Sequence, residues 1–121
     1  KVFYTEVLGC GIGRTNSKWI DFNFFGHQLV IHQKDDFTPQ RISNAVDGHD
    51  VPVPHFGVVL TWEVWQDLAD RLKKNNTRFI IEPTIRFEGK IGEQATLFFN
   101  DPENNALEFK AFKDLNQLFA K

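Results

Sequence analysis

The chain has 121 residues, 41% apolar and 25% charged, enough for one domain with its own core and too few for two ordinary ones. The formal charge is -2 with a pI of about 6.1, and the 14 basic residues are scattered along the chain, so the electrostatic footprint of a nucleic-acid binder is missing. A lone cysteine, Cys10, excludes an internal disulfide and a cysteine-based metal cluster, and no apolar run approaches the roughly 18 residues of a membrane span.

These features make a reducing compartment, the cytoplasm, the expected location, and Cys10 is expected to be a small buried residue. The chain begins at Lys1 and contains no methionine, so its natural start is expected further upstream. Phe3, Tyr4, Val7 and Leu8 fall at helical spacing, and Gly9 stands where a left-handed cap belongs, which predicts the end of a helix. Gly9, Gly11 and Gly13 then break the pattern. Lys18 to His32 (KWIDFNFFGHQLVIH) is rich in aromatic and β-branched residues and predicts two strands with a turn near Asn23 to Gly26.

From Gln33 to Pro54 the chain turns polar, and Lys34, Asp35, Asp36, Pro39, Asp47, Gly48, Pro52 and Pro54 predict a connector without regular structure. His55 to Leu60 (HFGVVL) reads as a short strand. Thr61 then caps a helix over Trp62 to Asn75, with Glu63 opposing its dipole and Trp65, Leu68, Ala69 and Leu72 on its apolar face. Arg78 to Pro83, Thr84 to Phe87, Ala95 to Phe99 and Ala106 to Phe112 read as strands, the second of them either separate from the first or its continuation past Pro83.

Laid side by side, FFGHQLVIH (Phe24 to His32) and NNALEFKAF (Asn104 to Phe112) align without a gap, which places Gln28 on Glu108. The halves therefore read as two βαβββ modules of one α+β domain: module one over residues 1–33, a connector over 34–54 and module two over 55–121. Module one is abbreviated. The strand matching His55 to Leu60 is expected roughly a dozen residues upstream of Lys1.

The segments HFGVVL, FFNDPENNALEF, WIDFNFFGHQLVIH, VPVPHFGVVL and GEQATLFF, with the paired-module layout, resemble the vicinal oxygen chelate superfamily of glyoxalases, extradiol dioxygenases and bleomycin- and fosfomycin-resistance proteins. That resemblance covers nearly the whole chain and implies a U-shaped mixed sheet. It implies metal ligands on the first and last strands of each module: His55 and Glu108 in module two, with Glu108 also the catalytic residue, and Gln28 in module one, where many relatives carry a carboxylate. It further implies a divalent ion (Fe, Mn, Zn or Ni), a small oxygenated substrate and a homodimer. Catalysis would stabilise an enolate or orient a catecholate. The alternative is a metal-free small-molecule binder of the bleomycin-resistance kind.

Alternation along strands supplies an independent check, since Gln28, Val30 and His32 share one face while His27, Leu29 and Ile31 share the other. Glu108 and Lys110 likewise oppose Leu107, Phe109 and Ala111. If the apolar sets pack under helices, Gln28 and Glu108 face a cavity, and a shift of one residue would exchange Gln28 for His27. A buried carboxylate at Glu108 needs a counter-charge or a metal. Read alone, His55 is a turn residue after two prolines. Arg86 and Gln94 are candidates to meet an anionic or oxygen-rich substrate, because one offers a planar set of donors and the other both donates and accepts. Phe98 or Phe99 would wall the cavity, His32 stands at its rim or on the surface, and His49 carries no assigned role.

Overall fold

The computed structural model describes residues 1–38, 42–46 and 48–119, and the chain divides into two compact units, Lys1–Pro39 and Gln40–Lys121. The architecture is α+β.

The first unit opens with a π-helical turn, Phe3–Val7, in which the Leu8 amide donates to the Phe3 carbonyl. Gly9 ends it at φ 74°, in the left-handed region that a residue without Cβ enters at little cost. Three antiparallel strands follow in the order β1 (Gly11–Thr15), β2 (Trp19–Phe24) and β3 (His27–His32). β1 was not expected, because its glycines read as pattern breakers. The β2–β3 turn takes positive φ at both Phe25 and Gly26, as a two-residue hairpin turn requires, and the Asn23 side chain accepts the Gly26 amide. Tyr4, Leu8, Cys10, Phe22 and Phe24 are buried, and the Tyr4 ring stacks on Phe22.

The second unit begins with a correction. The segment expected to lack regular structure forms an antiparallel hairpin, β4 (Ile42–Val46) and β5 (His49–Val53). Its strands were hidden because the described β4 side chains are exposed and Pro52 sits within β5; a proline is tolerated in a strand that is not central to a sheet. Pro39 and Asp47 of that segment lie outside the described residues.

A βαβββ module follows: β6 (His55–Leu60), α1 (Trp62–Lys74), β7 (Phe79–Arg86), β8 (Gln94–Asn100) and β9 (Ala106–Phe112), with the sheet order β6-β9-β8-β7. Only β6 and β9 run parallel. β7 is continuous through Pro83, with register shifts on either side of Ile81. α1 starts where the Thr61 hydroxyl accepts the Val64 amide, and Arg71, Lys73 and Lys74 complement the negative end of its dipole.

Strand parity decides which residues form the core. Leu107, Phe109 and Ala111 on β9 and Ala95, Leu97 and Phe99 on β8 are fully buried, as is Leu72 of α1. Each large side chain so buried stabilises the fold by about 1.5–3 kcal/mol. The Trp65 indole donates to the Phe109 carbonyl at 2.9 Å, fixing the helix on this face. Glu108 and Lys110 consequently project from the opposite face.

Candidate functional site

That opposite face is ordered by strand register. Gly57 of β6 pairs with Glu108 of β9, and Glu108 pairs with Phe98 of β8. A Cβ at position 57 would overlap the backbone oxygen of Glu108. Gly57 therefore permits the close approach of the two strands, and it leaves no side chain between His55 and Glu108. His55 Nε2 lies 3.3 Å from Glu108 Oε2.

The remaining contacts assign a role to each atom. His55 Nδ1 is 2.8 Å from the Pro52 carbonyl; a carbonyl only accepts, so Nδ1 carries the hydrogen and donates it. In the neutral ring this leaves the Nε2 lone pair directed at Glu108. The Phe98 ring packs edge-on against the imidazole, with centroids 5.1 Å apart. On Glu108, Oε1 accepts from the Thr96 hydroxyl at 3.0 Å and lies 3.3 Å from Lys110 Nζ. Oε1 is thus anchored, and Oε2 faces His55.

A lone pair on Nε2 facing a carboxylate oxygen is repulsive unless something positive sits with them, either a proton or a metal ion. The chemistry of the pair suits a metal. Zinc-type ions bind imidazole nitrogen and carboxylate oxygen at about 2.0–2.2 Å, which sets neighbouring ligand atoms about 2.8–3.6 Å apart, and the 3.3 Å separation falls inside that interval. A backbone carbonyl on the distal imidazole nitrogen is the usual support for a metal-binding histidine. Among the described residues, no third His, Cys, Asp or Glu joins this pair.

In the first unit, Gln28 lies on the face shared with Val30 and His32 and not with His27. Its Nε2 donates to Asp21 Oδ2 at 3.1 Å, and Arg14 Nε lies 3.3 Å from the same oxygen. Asp21 is buried although it interrupts an aromatic run.

Arg86 and Gln94 are neighbours across β7 and β8, four residues along β8 from Phe98 and so about 13 Å from the Glu108 level. Gln94 Oε1 is buried with no hydrogen-bond partner among the described residues, while Nε2 makes only a 3.4 Å contact to the Gly92 carbonyl. The Arg86 guanidinium lies 5.2 Å from the centre of the Phe87 ring. Phe98 faces the candidate site, whereas Phe99 stacks on Phe109 in the core. Thr96, Asp21 and Arg14 were not singled out from the sequence. Asp21 was within reach of the parity argument, because Asp21 and Asn23 alternate with Phe22 and Phe24.

The model of the Glyoxalase/Bleomycin resistance protein/Dioxygenase superfamily matches residues 1–109. Among solved structures, a glyoxalase/bleomycin resistance protein/dioxygenase from Alicyclobacillus acidocaldarius is 33% identical, with a TM-score of 0.78 over 98% of this chain and 84% of its own. The genomically encoded fosfomycin resistance protein of Listeria monocytogenes shares the fold at 19% identity, with a TM-score of 0.67 over 96% of this chain and 83% of its own. A virulence protein of Salmonella typhimurium does so at 19% identity, with a TM-score of 0.60 over 92% of this chain and 83% of its own. No curated protein matches. No helix among the described residues is long and apolar enough to cross a membrane. From the matched residues and the shared architecture together, the chain belongs to the glyoxalase/bleomycin resistance protein/dioxygenase superfamily.

Proposed function

We propose that the protein is a divalent-metal-dependent enzyme acting on a small oxygenated substrate, with His55 and Glu108 as metal ligands and Gln28 as the donor group of module one. The observation that carries this reading is the approach of His55 Nε2 to Glu108 Oε2 with the distal imidazole nitrogen already committed to the Pro52 carbonyl. An imidazole nitrogen and a carboxylate oxygen suit Fe²⁺, Mn²⁺, Zn²⁺ or Ni²⁺. When bound, such an ion supplies Lewis acidity toward two neighbouring substrate oxygens.

The chain's own residues do the rest. Thr96 and Lys110 hold Glu108 Oε1, so that Oε2 is presented in one orientation. Glu108, which would hold the metal, is the catalytic residue. Phe98 packs against the imidazole and shields it from water on one side. Lys110 places a positive charge beside Glu108, which would favour negative charge on a substrate oxygen bound nearby. Arg86 and the unpartnered Gln94 oxygen suit the polar end of a longer substrate. A homodimer is the assembly we propose.

A second reading is favoured by Lys110 itself. Its ammonium already neutralises Glu108, as a metal-free small-molecule binder would require. Metal content and affinity of the protein, compared with His55→Ala and Glu108→Ala, separate the two. Near-stoichiometric metal lost in both variants supports the enzyme, and metal-free protein indifferent to both variants supports the binder.

A further inference from the structure

The two modules carry the same hydrogen-bonded pair with its chemistry exchanged. In module two, Glu108 on the last strand pairs with Phe98, and Thr96, two residues earlier on the middle strand, reaches diagonally to the carboxylate. In module one, Gln28 on the last strand pairs with Asn23, and Asp21, two residues earlier on the middle strand, is the diagonal partner. One module places its carboxylate on the last strand, the other on the middle strand. Each carboxylate also has a cation beside it, Lys110 in one case and Arg14 in the other.

We propose that Asp21 is a positioning residue that fixes the Gln28 amide and gives module one the negative charge that Glu108 gives module two. An ionised carboxylate offers no donor, so only the NH₂ end of Gln28 can face it. The carbonyl oxygen Oε1 therefore points away from Asp21, and among the described residues it has no hydrogen bond. An acceptor at one end of an amide also polarises the other, which makes Oε1 a stronger donor toward a cation. Asp21 is 6% exposed; a buried carboxylate is held in place by its partners and does not drift to solvent. Gly13 leaves room beside it, since a Cβ there would stand 3.2 Å from the Asp21 Cβ. The role of Gln28 as a cation donor rests on the metal reading given above, whereas the exchanged pair itself does not.

The test is a four-protein cycle of the wild type, Asp21→Asn, Gln28→Glu and the double exchange Asp21→Asn/Gln28→Glu, with stability measured in metal-free buffer and Mn²⁺ affinity measured separately. Gln28→Glu brings two carboxylates into contact and should lower the folding equilibrium constant roughly tenfold, and the double exchange should recover most of that loss. Asp21→Asn is nearly isosteric and lets its own NH₂ face Gln28 Oε1. It should weaken Mn²⁺ binding about tenfold, in the range seen for residues that support a metal ligand, and the double exchange should restore it. Additive stability effects overturn the proposal whatever the metal result. Mn²⁺ binding that Asp21→Asn leaves unchanged overturns the positioning role. A coupled cycle in a protein that binds no Mn²⁺ supports the exchanged pair and overturns the metal reading instead.

Discussion

Module two sets Glu108 on β9 between β6 and β8 and holds it by a diagonal bond from Thr96, whereas module one holds Gln28 of β3 by a diagonal bond to Asp21 of β2. In module two β6 lies against β9, bringing His55 to the last strand, and the glycine at the crossing is obligatory because its Cβ would overlap Glu108 backbone. Module one places a glycine beside its own carboxylate, Gly13 near Asp21, with more room. The difference teaches that a duplicated strand scaffold keeps its diagonal hydrogen bond while the acid moves between neighbouring strands.

Substitutions at the two glycines probe this contrast most severely. Gly57→Ala should cost about 3 kcal/mol or more in urea unfolding, because backbone has to move, and should also separate His55 from Glu108. Gly13→Ala meets the Asp21 Cβ at 3.2 Å, with the Asp21 backbone no nearer than 3.7 Å, and should cost about 1 kcal/mol. Equal costs at the two sites would break the comparison.

The turns before the last strands differ as well. In module two, Asp101 accepts the Glu103 and Asn105 amides and the Asn105 side chain, whereas module one turns in two residues with Asn23 accepting one amide. Asp101→Ala should destabilise by about 2–3 kcal/mol and Asn23→Ala by about 1 kcal/mol, each read from the shift of the urea midpoint. At the charge level, Lys110→Met removes the cation competing for Glu108 and should tighten divalent-metal binding several-fold by titration calorimetry. Weaker metal binding would instead show that the hold of Lys110 on Glu108 Oε1 outweighs its competing charge. The smallest effect is expected at the helix start. Thr61→Ala removes the cap of α1 and should cost about 1 kcal/mol.

Module two was legible in the sequence because its elements bury one face. WEVWQDLADRLKK has a helical stripe and ALEFKAF alternates, so helix, strands and the outward face of Glu108 followed from periodicity. The β4–β5 hairpin escaped because the described β4 side chains are all exposed, without alternation, and a proline interrupts β5. β1 escaped because all five of its residues are exposed and two are glycines. The His55–Glu108 approach depends on strand register across a parallel pair more than fifty residues apart in sequence, which periodicity cannot supply. Family resemblance singled out those two residues. The Thr96 and Lys110 contacts, and the Asp21–Gln28 bond, came only with the register.

The central claim is that His55 presents Nε2 to a cation held with Glu108 while Nδ1–H stays on the Pro52 carbonyl. Nitrogen-15 spectra of the imidazoles during a Zn²⁺ titration test it most directly. The account predicts that the His55 Nε2 signal shifts to saturation near one equivalent, that Nδ1 keeps its proton, and that Glu108→Gln greatly weakens the response. His55 signals that remain unmoved while Zn²⁺ binds elsewhere or not at all would contradict it.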